Sequence, residues 1–230
     1  MKTVALIPAR CGSKGFKDKN IAKIKGKTLI ELAVNVAKKC DIIDEIYIST
    51  DCKKYENIAL KAGAKSFGLR DKKLATDNAK SVDVVIDFLN KFEKKPDYLL
   101  LLQPTSPLRT SQDIKNSFDI LQNADSVVSV VEFNEPHPYK LKVIENSKLK
   151  SFIKNTTSEI PRQQLPKVYA LNGAIYFIKT EVLLKEKTFF PDNTKPYIMP
   201  EPLINIDSEW DYLFLKTLIN ENKIKLEGIE

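Results

Sequence analysis

Two spacings of apolar residues alternate along this chain and predict an order of strands and helices. Short apolar-rich segments typical of buried strands occur at 4–7, 45–50, 98–102 and 126–133. Apolar residues at helical spacing occur between them, at 29–39, 53–62, 80–92 and 111–121. Because alternating strands and helices form parallel sheets with right-handed crossovers, we expect an α/β protein with three α/β/α layers and a doubly wound, mainly parallel sheet.

Helix starts are marked by hydroxyl residues that can cap them. Thr28 with Glu31 forms a capping-box pattern, and Thr110 or Ser111 is placed to cap the helix that follows the third strand. Ser208 is placed to cap a final helix. The apolar residues expected to pack inward from that helix are Trp210, Leu213, Phe214 and Leu218.

The regular alternation is interrupted at about 134–168. Prolines flank His137, and the short strand-like segments 140–145 and 148–153 predict a hairpin. We expect one domain over 1–230, with this excursion as a lid or a dimerisation arm. His137 is the only histidine, and we assign it a structural rather than a catalytic role.

Composition narrows the class of protein. Apolar residues make up 43% of the chain and charged residues 29%, which is ordinary for a globular protein. No apolar run approaches the roughly 18 residues of a membrane span, and the chain enters a strand directly, without a signal-peptide pattern. Three cysteines without metal-ligand spacing argue against a disulfide framework. We therefore expect a cytoplasmic protein that does not associate with a membrane.

The net charge of +7 does not by itself indicate a nucleic-acid partner. Lysines are spread among acidic residues as on a solvated surface, and only four of the 37 basic residues are arginines. Against that background, each arginine suggests a place that needs a planar fork for phosphate or carboxylate. The alternative explanation is that codon bias left these few arginines at unrelated positions. The four are Arg10, Arg70, Arg109 and Arg162.

The segment 8–20, after the first strand, has the composition of a polyphosphate-binding loop. Gly12 and Gly15 allow sharp turns and close backbone approach, and the loop carries four positive charges. It matches neither the Walker A motif nor the G-x-G-x-x-G fingerprint. A basic surface loop is the alternative. Since ligands gather at the carboxyl ends of parallel strands, we expect Asp51 to share this edge of the sheet.

Two further polar segments follow predicted strands. The turn 103–109 holds two prolines together with several hydrogen-bonding side chains. Asp207 follows a short predicted strand at 203–207, where a carboxylate can hold a hard cation. An additional helix-capping acid is an equally good explanation for Asp207.

Taken in order, five segments resemble the motifs of one family. They are Ile7-Pro8-Ala9-Arg10 through Lys19-Asn20, Leu102 through Arg109, Arg162-Gln163, Asn172 through Tyr176, and Ile206-Asp207. Together they resemble the acylneuraminate cytidylyltransferases, or CMP-sialic acid synthetases. The resemblance covers nearly the whole chain. It implies a nucleotide-diphospho-sugar transferase-like fold and transfer of CMP from CTP to the anomeric hydroxyl of a nine-carbon sugar acid, with release of pyrophosphate.

The resemblance also implies roles for residues on the nucleotide side. The expected nucleotide contacts are Arg10, Gly12, Ser13, Lys14, Lys19, Asn20, Arg70 and Ser81. Asp207, Lys19 and Arg10 are the expected catalytic residues, with Mg²⁺ bound at Asp207. Asn205 stands where family members often have a second aspartate, so its role as a metal ligand is in doubt. Lys17 is assigned to solvated surface.

On the sugar side the resemblance implies a second set of ligand-contacting residues. It also implies that the protein is a homodimer. The expected sugar contacts are Gln103, Arg162, Asn172, Tyr176, Phe189 and Phe190. The excursion would reach across to the partner in the dimer. Two alternatives stay open, namely a related enzyme acting on another sugar acid such as KDO, and a non-catalytic nucleotide-binding protein.

Overall fold

The computed structural model describes residues 1–154, 156–200 and 204–229. The strands in these ranges are β1 (Thr3–Pro8), β2 (Lys23–Ile24), β3 (Lys27–Thr28), β4 (Glu45–Ser49), β5 (Tyr98–Leu101), β6 (Ser126–Glu132), β7 (Lys142–Glu145), β8 (Lys148–Ser151), β9 (Tyr169–Lys179) and β10 (Thr194–Ile198). The α-helices are α1 (Leu29–Lys38), α2 (Lys53–Ala62), α3 (Ser81–Leu89), α4 (Ser111–Leu121), α5 (Thr180–Glu186) and α6 (Glu209–Asn220). None of these helices is long and apolar enough to cross a bilayer.

The central sheet has six strands in the order β10-β6-β9-β5-β1-β4. Strand β1 pairs in parallel with β4 on one side and β5 on the other, and β10 pairs in parallel with β6. Strand β9 runs antiparallel to both β5 and β6, so it alone is reversed within this sheet. The predicted mainly parallel sheet is confirmed.

Helices cover both faces of the sheet. Successive side chains of β1 point to opposite faces, and both sets are buried. Ala5 and Ile7 belong to a core shared with α1, α2 and α4, whereas Val4 and Leu6 belong to a core shared with α3 and α5. All four side chains are fully buried. The strand is apolar at every one of these positions because both of its faces are covered. The predicted three layers are therefore present.

Capping boxes begin three helices, at the predicted box of Thr28 and at the predicted N-caps Thr110 and Ser208. The backbone N–H of Glu31 donates to Thr28 Oγ1 over 3.2 Å, and its carboxylate accepts from the N–H of Thr28. Thr110 with Asp113 and Ser208 with Asp211 repeat this arrangement at α4 and α6. Each box satisfies two N–H groups that would otherwise lack partners in the first turn.

Around α6 two predictions are wrong. Residues 204–206 form no strand, and Leu203 lies outside the described residues. Instead of entering the sheet, this segment is held by the N–H of Ile206, which donates to the carbonyl of Thr105 over 2.8 Å. The helix buries only Leu215 and Ile219. Its inward face is too narrow to include Trp210, Leu213 and Phe214, which are exposed.

The excursion at 134–168 contains the predicted hairpin. Strands β7 and β8 pair antiparallel, with Ile144 opposite Leu149. Both of these side chains are largely exposed. His137 is buried, with Nε2 3.0 Å from the carbonyl oxygen of Pro166 and Nδ1 accepting from the N–H of Tyr139. These contacts fix the base of the excursion and agree with a structural role for this histidine.

Arg109 does not bind phosphate or carboxylate, contrary to the interpretation of the four arginines. Its side chain is buried, and Nη1 donates to the backbone carbonyls of Gln103, Ser106 and Ala174 over 2.7, 2.9 and 3.3 Å. Burial lowers its pKa to about 9. This value is still above neutral pH, so the guanidinium remains charged. The arginine thus ties the turn after β5 to β9.

We predict that Arg109→Met lowers the free energy of unfolding by about 3 kcal/mol, because three buried carbonyls lose a charged donor. Urea denaturation followed by circular dichroism measures this change. Arg162→Met is the matched control, since Arg162 is exposed, and should stay within about 0.5 kcal/mol of the parent protein. Equal stabilities for the two variants would contradict a structural role for Arg109.

Candidate active site

A pocket of about 260 Å³ opens at the carboxyl edge of the sheet. It lies where the loop after β1, the segment before α3, the turn after β5 and the segment before α6 meet. Several residues from the sequence prediction line it, namely Arg10, Ser13, Lys19, Asn20, Arg70, Ser81, Gln103, Asn205 and Asp207. Parallel pairing of β1 with β4 and β5 brings them together, as expected for strands that end at one edge.

The loop 8–20 is anchored from both sides. The N–H of Cys11 donates to Asp51 Oδ1 over 2.8 Å, so the acid expected at this edge is present and fixes the loop. Asn20 is buried, and its Nδ2 donates to the carbonyl of Arg10 over 3.1 Å. Tyr55 donates its hydroxyl hydrogen to Asp18 over 2.7 Å. These three contacts give the loop a defined shape.

The cations of this loop face acidic partners. Arg10 Nη2 and Lys14 Nζ each lie 2.6 Å from a different carboxylate oxygen of Asp77. Lys19 Nζ lies 2.7 Å from Asp207 Oδ1. Hydrogen bonds from Lys14 and Arg10 hold the pKa of Asp77 below its ordinary value. The sequence prediction missed Asp77, since a single acid in an irregular segment carries no pattern.

Arg70 is the buried cation of the pocket. Its side chain is 6% exposed, and its Nε has no hydrogen-bond partner in the described structure. Burial lowers its pKa, and the nearby charge of Asp51 acts in the opposite direction. An unpartnered buried donor costs free energy, so a ligand with an acceptor here would gain from pairing with it.

Asp207 is held from two sides at the rim of the pocket. Besides Lys19, the Nδ2 of Asn205 donates to Asp207 Oδ2 over 2.9 Å. The carbonyl oxygen of Asn205 accepts from Ser106 over 3.1 Å and so points away from Asp207. A Cβ at Gly15 would lie 2.6 Å from the backbone oxygen of Asp207, so only glycine permits this approach. Asn205 therefore orients the carboxylate and offers it a donor, not a second oxygen.

A neighbouring pocket shares Ser81 and Gln103 with the first and contains part of the expected sugar set. Tyr176, Phe189 and Phe190 line it. The ring of Tyr176 lies 5.3 Å from that of Phe189 and 6.4 Å from that of Phe190. These aromatic faces lie beside the amide of Gln103, an arrangement suited to a ligand with apolar and polar faces.

Four of the expected contacts lie outside these two pockets. Asn172 is buried, and its side-chain Oδ1 accepts from the hydroxyl of Ser129 and from the N–H of Ala174. Arg162 lies in the excursion, 2.7 Å from Glu135. Gly12 and Lys14 belong to the loop but do not line the pocket. The roles assigned to all four remain predictions.

Comparison with known proteins gives relatives over nearly the whole chain. The model of a family described as "Cytidylyltransferase" matches residues 4–226. An N-acylneuraminate cytidylyltransferase of Streptococcus agalactiae is 35% identical over 93% of this chain and 52% of its own length. A CMP-N,N'-diacetyllegionaminic acid synthase of Legionella pneumophila is 33% identical over 97% of this chain and 98% of its own.

A solved structure shares the fold. It is a CMP:2-keto-3-deoxy-manno-octonic acid synthetase complexed with CTP, superposing with a TM-score of 0.73 over 96% of this chain and all of its own, at 17% identity. The chain spans about half the length of the streptococcal relative and nearly all of the Legionella one. The match of the family model over almost every residue shows that this chain belongs to the cytidylyltransferase family.

Proposed function

We propose that this protein transfers CMP from CTP to the anomeric hydroxyl of a nonulosonic acid, a nine-carbon sugar acid, and releases pyrophosphate. The observation that carries the proposal is the ring of cations around the first pocket. Arg10 and Lys19 line it, Lys14 stands beside it, and Arg70 offers a buried donor without a partner. CTP would bring more negative charge on its phosphates than the two carboxylates of Asp77 and Asp207 that now face these cations, and its cytidine would offer an acceptor to Arg70.

The nucleotide would lie across the first pocket with its phosphates at the loop 8–20. Ser13 and Lys14 would join Arg10 and Lys19 on the phosphates. Arg70 and Ser81 would face the cytidine. The neighbouring aromatic pocket would hold the sugar. Gln103 and Ser81 line both pockets, so the two ligands would lie side by side.

The residues present fit one Mg²⁺ ion at Asp207. This carboxylate is exposed, lies at the rim of the phosphate pocket and offers oxygen ligands of the kind that Mg²⁺ prefers. Among the described residues no three acidic, histidine or cysteine side chains cluster as a metal site, so phosphates and water would complete the coordination. When bound, the ion would neutralise charge on the phosphate and lower the pKa of a hydroxyl.

The chain's own groups would act mainly by positioning and charge. The sugar hydroxyl oxygen would form a bond to the α-phosphorus and lose its proton to water, while the bond from that phosphorus to the bridging oxygen breaks and pyrophosphate leaves with the electron pair. Arg10, Lys14 and Lys19 would stabilise the charge that accumulates on the leaving pyrophosphate. No covalent protein nucleophile is required for phosphoryl transfer of this kind.

The names of the relatives favour nonulosonic acids over other sugar acids. The streptococcal and Legionella relatives are each about one-third identical to this chain. Their names refer to N-acylneuraminate and to diacetyllegionaminic acid. The structural neighbour named for an eight-carbon acid shares only 17% identity, which supports the fold alone. KDO therefore remains the competing substrate that an assay must include.

The assembly proposed is a cytoplasmic homodimer formed through the excursion. The exposed apolar residues of this part of the chain and of strands β9 and β10 include Ile144, Leu149, Phe152, Tyr169, Leu171 and Ile198. A second copy that covered them would bury much of this area. The three cysteines are free thiols, which suits a reducing compartment.

We predict that Asp207→Asn reduces Mg²⁺-dependent pyrophosphate release from CTP and a nonulosonic acid by about a hundredfold or more, because it removes the charged ligand at the pocket rim. Glu209→Gln is the matched control, since this acid is exposed two residues away and does not line the pocket. Its turnover should stay within about twofold of the parent enzyme.

The same assay separates the alternatives. Turnover with N-acetylneuraminate, legionaminate or pseudaminate supports the proposal, whereas turnover with KDO alone would replace the substrate. Binding of CTP without pyrophosphate release from any acid would indicate a non-catalytic nucleotide-binding protein. Full turnover by the Asp207→Asn variant would refute the metal assignment.

The double substitution Ile144→Asp with Leu149→Asp is predicted to convert the dimer into a folded monomer. These two residues face each other across the hairpin and are exposed, so charges there should disrupt an interface and leave the fold intact. Light scattering during size-exclusion chromatography gives the mass. Leu60→Asp, an exposed apolar position on α2, is the control and should leave the dimer unchanged. A parent protein of monomer mass would contradict this assembly.

A further inference from the structure

The carboxylate of Asp77 occupies the cations that the proposed function assigns to phosphate. Its Oδ1 lies 2.6 Å from Arg10 Nη2, and its Oδ2 lies 2.6 Å from Lys14 Nζ. Two anionic oxygens on one central atom, each held by a different cation, reproduce how two non-bridging oxygens of a phosphate are bound. The carboxylate of Asp77 thus binds these two cations in the way that a phosphate group would.

The segment that carries Asp77 covers the same pocket. Leu74 from a 3-10 helix at 72–75 lines it, as do Thr76, Asp77 and Ala79 between that helix and α3. The segment is attached to the loop 8–20 through exposed side chains, because Lys14 is 83% exposed and Asp77 40%. Exposed ion pairs contribute little free energy, so a multiply charged ligand can displace such a contact.

We propose that Asp77 competes with the outer phosphates of the nucleotide for Arg10 and Lys14, and so determines which phosphate-bearing ligands the site retains. The inference rests on the proposed function. On binding, the β- and γ-phosphates take over the two cations and Asp77 is released. After transfer, Asp77 returns to the cations and weakens the hold on pyrophosphate, which favours its departure.

Competition predicts that Asp77 weakens the binding of CTP and pyrophosphate but not of CMP. CTP and pyrophosphate carry phosphates that need Arg10 and Lys14, so both lose affinity by having to displace Asp77. CMP carries only the inner phosphate and leaves the contact in place. If Asp77 instead oriented the two cations for phosphate, its removal would weaken the binding of CTP and pyrophosphate.

The test measures dissociation constants by isothermal titration calorimetry for CTP, pyrophosphate and CMP, using the parent protein and Asp77→Asn. The amide keeps the size of the side chain and removes its charge. We expect the variant to bind CTP and pyrophosphate about fivefold more tightly, and CMP within about twofold of the parent. Product inhibition by pyrophosphate should strengthen by the same factor.

Asp83→Asn is the matched control, because it removes one negative charge from an exposed position in the first turn of α3 without touching either cation. It should change none of the three constants by more than about twofold. Unchanged or weaker binding of CTP and pyrophosphate by Asp77→Asn would overturn the inference, as would tightening that includes CMP equally. Absence of CTP binding by the parent protein would contradict the proposed function itself.

Discussion

The pairing of β1 with both of its neighbours is the constraint on which the site depends. This strand is buried on both faces and pairs in parallel with β4 and β5. The three strands therefore end at one edge, which brings the loop 8–20, Asp51 and the turn 103–109 together. Because β1 pairs directly with β5, the cations of the loop lie beside the turn that carries Gln103.

Around that edge several buried or half-buried polar side chains hold the loops of the pocket in place. Arg109 uses its guanidinium on backbone carbonyls of the turn, Asp51 holds the loop through an N–H, and Asn205 holds Asp207. What remains for a ligand is the set of charges at the surface of the pocket. Arg10, Lys14 and Lys19 each have an acidic partner, which the phosphates of a polyanionic ligand would replace, and Arg70 keeps an unpartnered donor for another part of that ligand.

The sequence predicted the strand and helix order because the underlying signals are local. Apolar runs mark buried strands, and hydroxyl residues followed by an acid mark helix starts, as at Thr28 and Ser208. The exposed face of α6 was missed because Trp210 and Phe214 read as core by residue type alone. Strand β10 was also missed, since at the sheet edge it contains Lys195 and Pro196 and lacks an apolar run.

Several residues of the candidate site could be predicted from the sequence, but the side chains that contact them could not. Motifs placed Arg10, Lys19 and Asp207 at one pocket, and the structure brings them there. Nothing in the sequence shows that Asp77 contacts Arg10, which lies 67 positions earlier, because that contact arises from the folding of an irregular segment over the loop. The same holds for the inward use of Asn172, whose amide is satisfied within the sheet.

Hydrogen–deuterium exchange of the parent protein with and without CTP tests the central claim most directly, namely that the carboxyl edge of the sheet binds a cytidine triphosphate. The account predicts slower exchange of backbone amides in 9–20 and 70–81 when CTP is present. Exchange in the hairpin 142–151 should not change. Protection confined to the excursion, or to segments away from these two, would contradict it.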